Sequence, residues 1–188
     1  MIKLRKFEET DIARLINWVQ DARVMTQWAR QQYQYPLDRA QLLKSIERTR
    51  GGDRPAHCMF TAFRQDDGTA VGHIELMRVD YGNGSARLGR VLIGRDEDRG
   101  RGLGTAMVAE ALKYGFNILG LMEIKLEVFA CNKPAMACFI KNGFSGYEFR
   151  ENVQQFEDES WNLLLMKLNR HKFMEYHHIR QFSEQLIK

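Results

Sequence analysis

The sequence predicts a mixed sheet with helices on both faces, a fold of the α/β or α+β group, and three observations carry that expectation. Three runs rich in β-favouring residues, HCMFTAFR, AVGHIELMRV and ARLGRVLIG, are separated by the turn compositions QDDG and DYGNG, the pattern of an antiparallel meander. Leu103, Met107, Val108, Ala111, Leu112 and Phe116 then recur with helical period. The chain next enters MEIKLEVF, a strand whose Ile124, Leu126 and Val128 share one face, so a helix crosses between strands.

Taken from the N-terminus, IKLRKF is a short strand, and Thr10 with Asp11 supplies cap chemistry for a helix carrying Ile12, Leu15, Ile16 and Val19. ARVMTQWARQQYQYP reads as a second short helix and an aromatic loop, and residues 37–50 have the apolar spacing Leu42, Leu43, Ile46 of another helix. Beyond MEIKLEVF, Pro134 stands in the first turn of a helix over 135–142, with Asn132 near its start and Gly143 at its C-cap. FSGYEFR and SWNLLLMKL close the sheet. Phe173, Tyr176, Ile179, Phe182 and Leu186 then recur at helical intervals, which divides the chain into a domain over 1–168 and an amphipathic helical extension over 169–188. That extension is expected to pack on the domain or on a second subunit as a homodimer contact. Its His171, His177 and His178, with no cysteine or carboxylate beside them in the pattern, read as surface residues, so no metal is expected.

The 188 residues fit a single globular domain, with 44% hydrophobic and 28% charged content. No apolar run approaches bilayer length and the N-terminus lacks a signal-peptide pattern, so no membrane association and a cytoplasmic location are expected. Cys58, Cys131 and Cys138 are an odd set without CxxC spacing, which argues for reduced thiols over disulfides or structural zinc. The net charge of +4 admits an anionic ligand, but charges of both signs are interspersed and no basic stripe interleaved with aromatics appears, so nucleic acid is not expected as a partner.

The segment that calls for explanation is RGRGLG, Arg99 to Gly104, where three glycines and two arginines crowd the mouth of a helix. Free N–H groups at a helix N-terminus bind phosphate, glycines let the ligand reach them, and arginines add charge; a bare solvated turn is the alternative. A Walker A loop is absent, and a dinucleotide GxGxxG beginning at Gly100 fails at Thr105.

RGRGLG fits the Arg/Gln-x-x-Gly-x-Gly/Ala signature of the GNAT superfamily of N-acyltransferases. LEVFACNKPAMACFIKNGF resembles that family's next strand and helix, with Asn132, Ala135, Phe139, Gly143 and Phe144 at the expected spacings. The resemblance runs through residues 2–167, and IG before the loop with YGFNILGL after it is most similar to the branch of ribosomal-protein N-terminal and spermidine acetyltransferases. It implies a mostly antiparallel central sheet of six or seven strands and acetyl-CoA as cosubstrate. The pyrophosphate would be held by Arg99, Gly100, Arg101, Gly102, Leu103, Gly104 and Thr105, the thioester would lie along Val91, Leu92 and Ile93, and Asn132 and Phe139 would be near the cofactor.

The resemblance also implies the chemistry: acetyl transfer by direct attack of a primary amine, on a small molecule or a protein N-terminus, in a ternary complex. Glu127, five residues before Asn132, is the candidate base, against an ion pair with Lys125 or an arginine; Glu75 is second choice, against a structural ion pair. Many family members have a tyrosine where this chain has Phe139, which has no proton to give a leaving thiolate, and Tyr81, Tyr114 and Tyr147 have no readable placement. A module that binds acyl-CoA without transfer is the alternative function. For the acceptor wall, Trp18 and Trp28 read as core, while Tyr33 and Tyr35, alternating with glutamines, read as surface residues. FEDES, Phe156 to Ser160, is a compact acidic run that a polyamine could use, and a solvated loop explains it equally well.

Overall fold

Seven strands alternate apolar and polar side chains strongly enough to pair into one sheet, in the order β1-β2-β3-β4-β5-β7-β6. The structure, a computed structural model, describes residues 1–176. The strands are β1 Ile2–Lys6, β2 His57–Arg64, β3 Ala70–Asp80, β4 Ser85–Ile93, β5 Glu123–Phe129, β6 Ser145–Phe156 and β7 Glu159–Asn169. Every neighbouring pair is antiparallel except β4 with β5. The helices are α1 Ile12–Trp18, α2 Ala22–Ala29, α3 Arg39–Glu47, α4 Leu103–Lys113 and α5 Lys133–Lys141.

The helices divide between the two faces, as the pleat requires. Cys58, Phe60, Ile74, Leu76, Ala86 and Leu88 pack with Met107, Val108, Ala111 and Phe139 of α4 and α5. Met59 and Leu92 pack instead with Ile12, Leu15, Met25, Trp28 and Leu42 of α1, α2 and α3. Leu88 and Leu92 are four apart yet face opposite sides, which an unbroken strand forbids. The cause is a bulge: between the pairs Glu75↔Gly89 and His73↔Leu92, β3 contributes one residue and β4 two, Arg90 and Val91. Arg90 carries the bulge at φ 49, a left-handed conformation that L side chains adopt rarely.

Asp38 caps α3, its carboxylate accepting from Gln41 N at 2.8 Å, so that helix is shorter than the apolar spacing over 37–50 suggests. Asn132 caps α5 in the same way from Ala135 N at 3.2 Å, which moves the helix start to Lys133. β6 runs to Phe156, beyond the expected FSGYEFR, because a bulge with Asn152 at φ 52 bends the strand and lets it keep pairing with β7. α4 continues as a π turn over Tyr114–Ile118, with Gly115 lying where a methyl group would be 2.7 Å from Ile124 Cδ1.

Residues 170–176 are helical after β7, and Phe173 is buried against Phe116, ring centroids 4.7 Å apart. The remainder of the expected amphipathic extension, with His177, His178, Ile179, Phe182 and Leu186, lies outside the described residues.

At the end of β4, Gly94 is fixed by its neighbour: a methyl group there would sit 2.2 Å from the indole of Trp18. Gly94→Ala is therefore expected to lower stability by about 1–3 kcal/mol, the cost of overpacking a site that cannot yield cheaply. Thermal unfolding checks this, and Trp18→Ala in the same chain should absorb most of the added loss.

Candidate active site

β4 and β5 are hydrogen-bonded neighbours only over Ser85↔Glu123, Ala86↔Ile124 and Arg87↔Lys125. Past that point β4 runs on to Ile93 and β5 to Phe129 without pairing to each other, so the sheet splays open at its centre. On the α4 side of the splay lies the glycine-rich loop, and on the α2 side lies a cleft.

The loop is anchored before it opens. Asp98 is 3% exposed and reaches Arg64 Nη1 at 3.4 Å, and Arg99 pairs with Asp96 at 2.6 Å while its guanidinium N–H groups donate to Ile93 O. Gly100 and Gly102 then take φ of 73 and 79, with nothing within 4 Å of where a side chain would begin. Glycine is needed there for the left-handed backbone, and the space above it is open. Gly104 differs: it sits inside the first turn of α4, with Ile93 and Cys138 at ordinary contact distance. Gly102, as N-cap, brings no side chain to the first-turn N–H groups of Leu103, Gly104 and Thr105, which by helix geometry have no intrahelical acceptor. Arg101 is exposed and has no ion-pair partner among the described residues. Thr105 contributes its carbonyl to Asn142 Nδ2 at 3.2 Å, which ties α4 to α5 beside the loop.

The cleft on the other side has a volume of about 70 Å³ and is lined by α2 and the loop after it, by Arg87 to Arg90 of β4, and by Glu127 and Phe129 of β5. Glu127 is the only carboxylate in that lining. Arg30 Nη1 donates to its Oε2 at 2.6 Å and Arg87 pairs with its Oε1, so its neighbours are two arginines from α2's end and β4; Lys125 pairs with Glu123. Burial lowers the Arg87 pKa, and Arg78, Arg30 and Arg150 push it the same way; Arg30 is lowered by burial and then by Arg150. The site is thus crowded with positive charge.

The bulge assigns the expected thioester residues to different faces. Val91 and Ile93 pack on the α4 side, whereas Leu92 is a core residue of the α1–α3 side. Asn132, besides capping α5, extends Nδ2 to Gln27 Oε1 of α2 at 3.5 Å, at the rim of the cleft. Phe139 is 5% exposed and packed edge-on against Phe144, so no hydroxyl stands at that position. Tyr81 donates to Pro55 O and Tyr114 packs on Phe60, which places these two rings at other parts of the sheet, while Tyr147 lies against Lys167 and close enough to Arg87 of the cleft to offset part of the lowering of its pKa.

Tyr33 and Glu75 differ from expectation. Tyr33 is 7% exposed, stacked on Trp28, with its hydroxyl donating to Ser45 at 2.7 Å and accepting from Arg90 at 2.8 Å. Alternation with glutamines suggests a surface ring, but these partners satisfy its hydroxyl inside the core, and burial raises its pKa to about 12. Glu75 is fully buried and accepts from His57 at 2.6 Å, His73 at 2.8 Å and Arg90 at 2.7 Å. A carboxylate so saturated inside the fold is a structural anchor for the Arg90 bulge and not a base open to substrate. Tyr35 is half-exposed and donates to Gln20 O at 2.7 Å, away from the cleft lining. In the acidic run, Glu157 and Asp158 form the β6–β7 turn, and Glu159 is held by Arg23 at 2.7 Å; that bond and one from Trp161 lower its pKa to about 2.

Arg30, Arg87 and Arg90 escaped the sequence reading. Arg87 and Arg90 are three apart in one strand, where an unbroken pleat would put them on opposite faces, and only the bulge and the tertiary fold bring them and Arg30 to one cleft. Among the described residues no group of His, Cys, Asp and Glu is arranged to hold a metal, and no helix is long and apolar enough to cross a membrane.

A family profile described as Acetyltransferase (GNAT) domain matches residues 2–145. Spermidine N(1)-acetyltransferase of Escherichia coli is 28% identical over 145 residues, 77% of this chain and 73% of the relative. An N-acetyltransferase of Methanocaldococcus jannaschii is 32% identical over 110 residues, 58% of this chain and 65% of its own. Among solved structures, spermidine N-acetyltransferase from Vibrio cholerae in complex with CoA and spermine superimposes with a TM-score of 0.79 at 21% identity, over 92% of this chain and 98% of that one. At that identity the likeness is one of fold.

Proposed function

The chain belongs to the GNAT acetyltransferase family and is an N-acetyltransferase that draws on acetyl-CoA, and from that premise we propose how its own residues divide the work. The observation that carries the reading is the splay of β4 from β5, with open helix N–H groups on one side and a carboxylate-bearing cleft on the other. Acetyl-CoA fits the α4 side: Gly100 and Gly102 leave room for a pyrophosphate, the first-turn N–H groups of α4 donate to it, and Arg101 with Arg99 adds charge. The thioester would then lie along the bulged part of β4, and we assign to main-chain N–H groups of Val91 to Ile93 the task of polarising its carbonyl.

The acceptor enters from the α2 side as a primary amine of a small molecule or a protein N-terminus. Glu127 takes a proton from its ammonium form. The neutral amine nitrogen then bonds to the thioester carbon, the carbon–sulfur bond breaks so that CoA leaves as a thiolate, and the nitrogen gives up its second proton to water to leave the neutral amide. Phe139 supplies no acid, so the thiolate takes its proton from water. We also assign residues 169–188 as an extension outside the catalytic domain and a surface through which two copies would pair. Phe173 docks the start of the segment on Phe116 in the domain's own core, which bears on its packing against the domain and not on pairing.

Thermal unfolding with acetyl-CoA, CoA, ATP and NAD at equal concentration tests the reading. Both CoA forms should raise the midpoint, by an amount equivalent to about 2.7 kcal/mol at a hundred times Kd, and the two nucleotides should not. A primary-amine screen with thiol detection follows. No shift from either CoA form would sink the assignment of the loop, and a shift without thiol release from any amine would leave a CoA-binding module in place of an enzyme.

A further inference from the structure

The acceptor side of the cleft has the wrong charge for a polycation. Its lining holds Arg30, Arg87 and Arg90 against a single carboxylate, Glu127, and Glu127 already has a guanidinium on each oxygen. Arg90 is answered by Glu75 behind it, which leaves Arg30 and Arg87 to share one negative charge. Arg78 and Arg150 stand near enough to depress Arg87 further, and of these Arg150 is paired with Glu148 while Arg78 has no ion-pair partner among the described residues. The acidic run at the β6–β7 turn does not offset this, because Glu159 is engaged by Arg23. A polyamine would bring two or more ammonium groups into a site whose only lining carboxylate is already shared.

A second observation points the same way. Trp28 Nε1 and Arg90 Nε are buried donors with no acceptor, and both residues line this cleft. Buried N–H groups without partners are uncommon and costly, and in a binding cleft they mark where an acceptor atom of a ligand would be held. Both of the buried side-chain atoms without partners among the lining residues are donors.

We infer that the acceptor is an amine that also carries an anionic group, a carboxylate or a phosphate, within a few bonds of the nitrogen. The array Arg30–Glu127–Arg87 alternates plus, minus, plus. A zwitterion adds the complementary pair: its anionic group takes one guanidinium, bidentately as arginine favours, and its ammonium takes the Glu127 oxygen so released. That exchange places the reacting nitrogen against the proposed base and gives each cation in the cleft an anionic neighbour, without adding to its net positive charge. This inference rests on the acetyltransferase reading above and narrows its acceptor.

The test is thiol release from acetyl-CoA by the full chain with matched acceptors, run beside the acetyl-CoA melting shift. One arm uses L-amino acids against the corresponding amino acid amides, which lack the carboxylate. A second uses O-phosphoethanolamine and glucosamine 6-phosphate against ethanolamine and glucosamine, and a third uses spermidine and spermine. The expected result is a kcat/KM at least tenfold higher for the anionic member of a pair, in the carboxylate arm or the phosphate arm, and lower for the polyamines than for that member. Arg30→Gln should bring the ratio of anionic to neutral kcat/KM down toward one, a readout that does not depend on what the loss of this Glu127 partner does to both acceptors alike. If acetyl-CoA shifts the melt but polyamines or neutral amines are preferred, or no acceptor in the panel turns over, the inference is wrong and the cofactor assignment stands. If acetyl-CoA gives no shift, the assignment beneath it has failed as well.

Discussion

Glu75→Leu is expected to lower the unfolding free energy by about 3–5 kcal/mol, the cost of leaving a buried charge without its partner. The partner is Arg90, 5% exposed, whose guanidinium meets Glu75 at 2.7 Å and which holds the left-handed bulge of β4. His57 and His73 lose their acceptor in the same change. Adding Arg90→Met should restore part of the loss, since removing both charges of a buried pair costs far less than removing one. Guanidinium unfolding of the wild type and the two variants checks this, and a single-variant loss below about 1 kcal/mol would mean the network is not what holds the bulge.

The same residue dictates an acid limit. Burial opposes the charge of Glu75, but Arg90 and hydrogen bonds from His57 and His73 outweigh it and hold the carboxyl well below the usual carboxylate range. A carboxyl whose pKa is lower folded than unfolded contributes stability that is complete above its unfolded pKa and is lost as pH falls toward the folded value. Wild-type stability should therefore decline as pH drops below about 4.5, and Glu75→Leu should flatten that part of the profile.

The strands were legible because their information is local. His57–Arg64 was readable to the residue, since a strand buried on both faces is a short run of β-favouring residues bounded by turn compositions. The loop was legible for the same reason, two of its glycines being required by φ alone. What escaped depends on distant partners. Tyr33 is buried because of Arg90, 57 positions away, and Glu127 meets Arg30 across 97. The bulge at Arg90 had no signal at all: an arginine at positive φ in a strand is tolerated only because Glu75, Tyr33 and Gln32 hold its side chain. Those long-range contacts also build the cleft on the α2 side, so sequence pattern reached the glycine-rich side of the splay and stopped short of the other.

Glu127→Gln should reduce kcat at pH 7 by about 10²–10⁴, the range a positioned proton acceptor contributes. The amide keeps the volume of the side chain and can still accept from one arginine, so the acetyl-CoA melting shift should be unchanged. The pH dependence separates chemistry from packing. Without a base, the variant can use only the acceptor molecules already deprotonated in solution, and that fraction grows about tenfold per pH unit up to the amine's own pKa, near 10 for an alkylamine. The deficit of the variant relative to wild type should therefore shrink steadily between pH 7 and pH 9. A structural defect would leave a constant ratio across that interval, and a variant with more than a third of wild-type kcat at pH 7 would remove Glu127 from the chemistry.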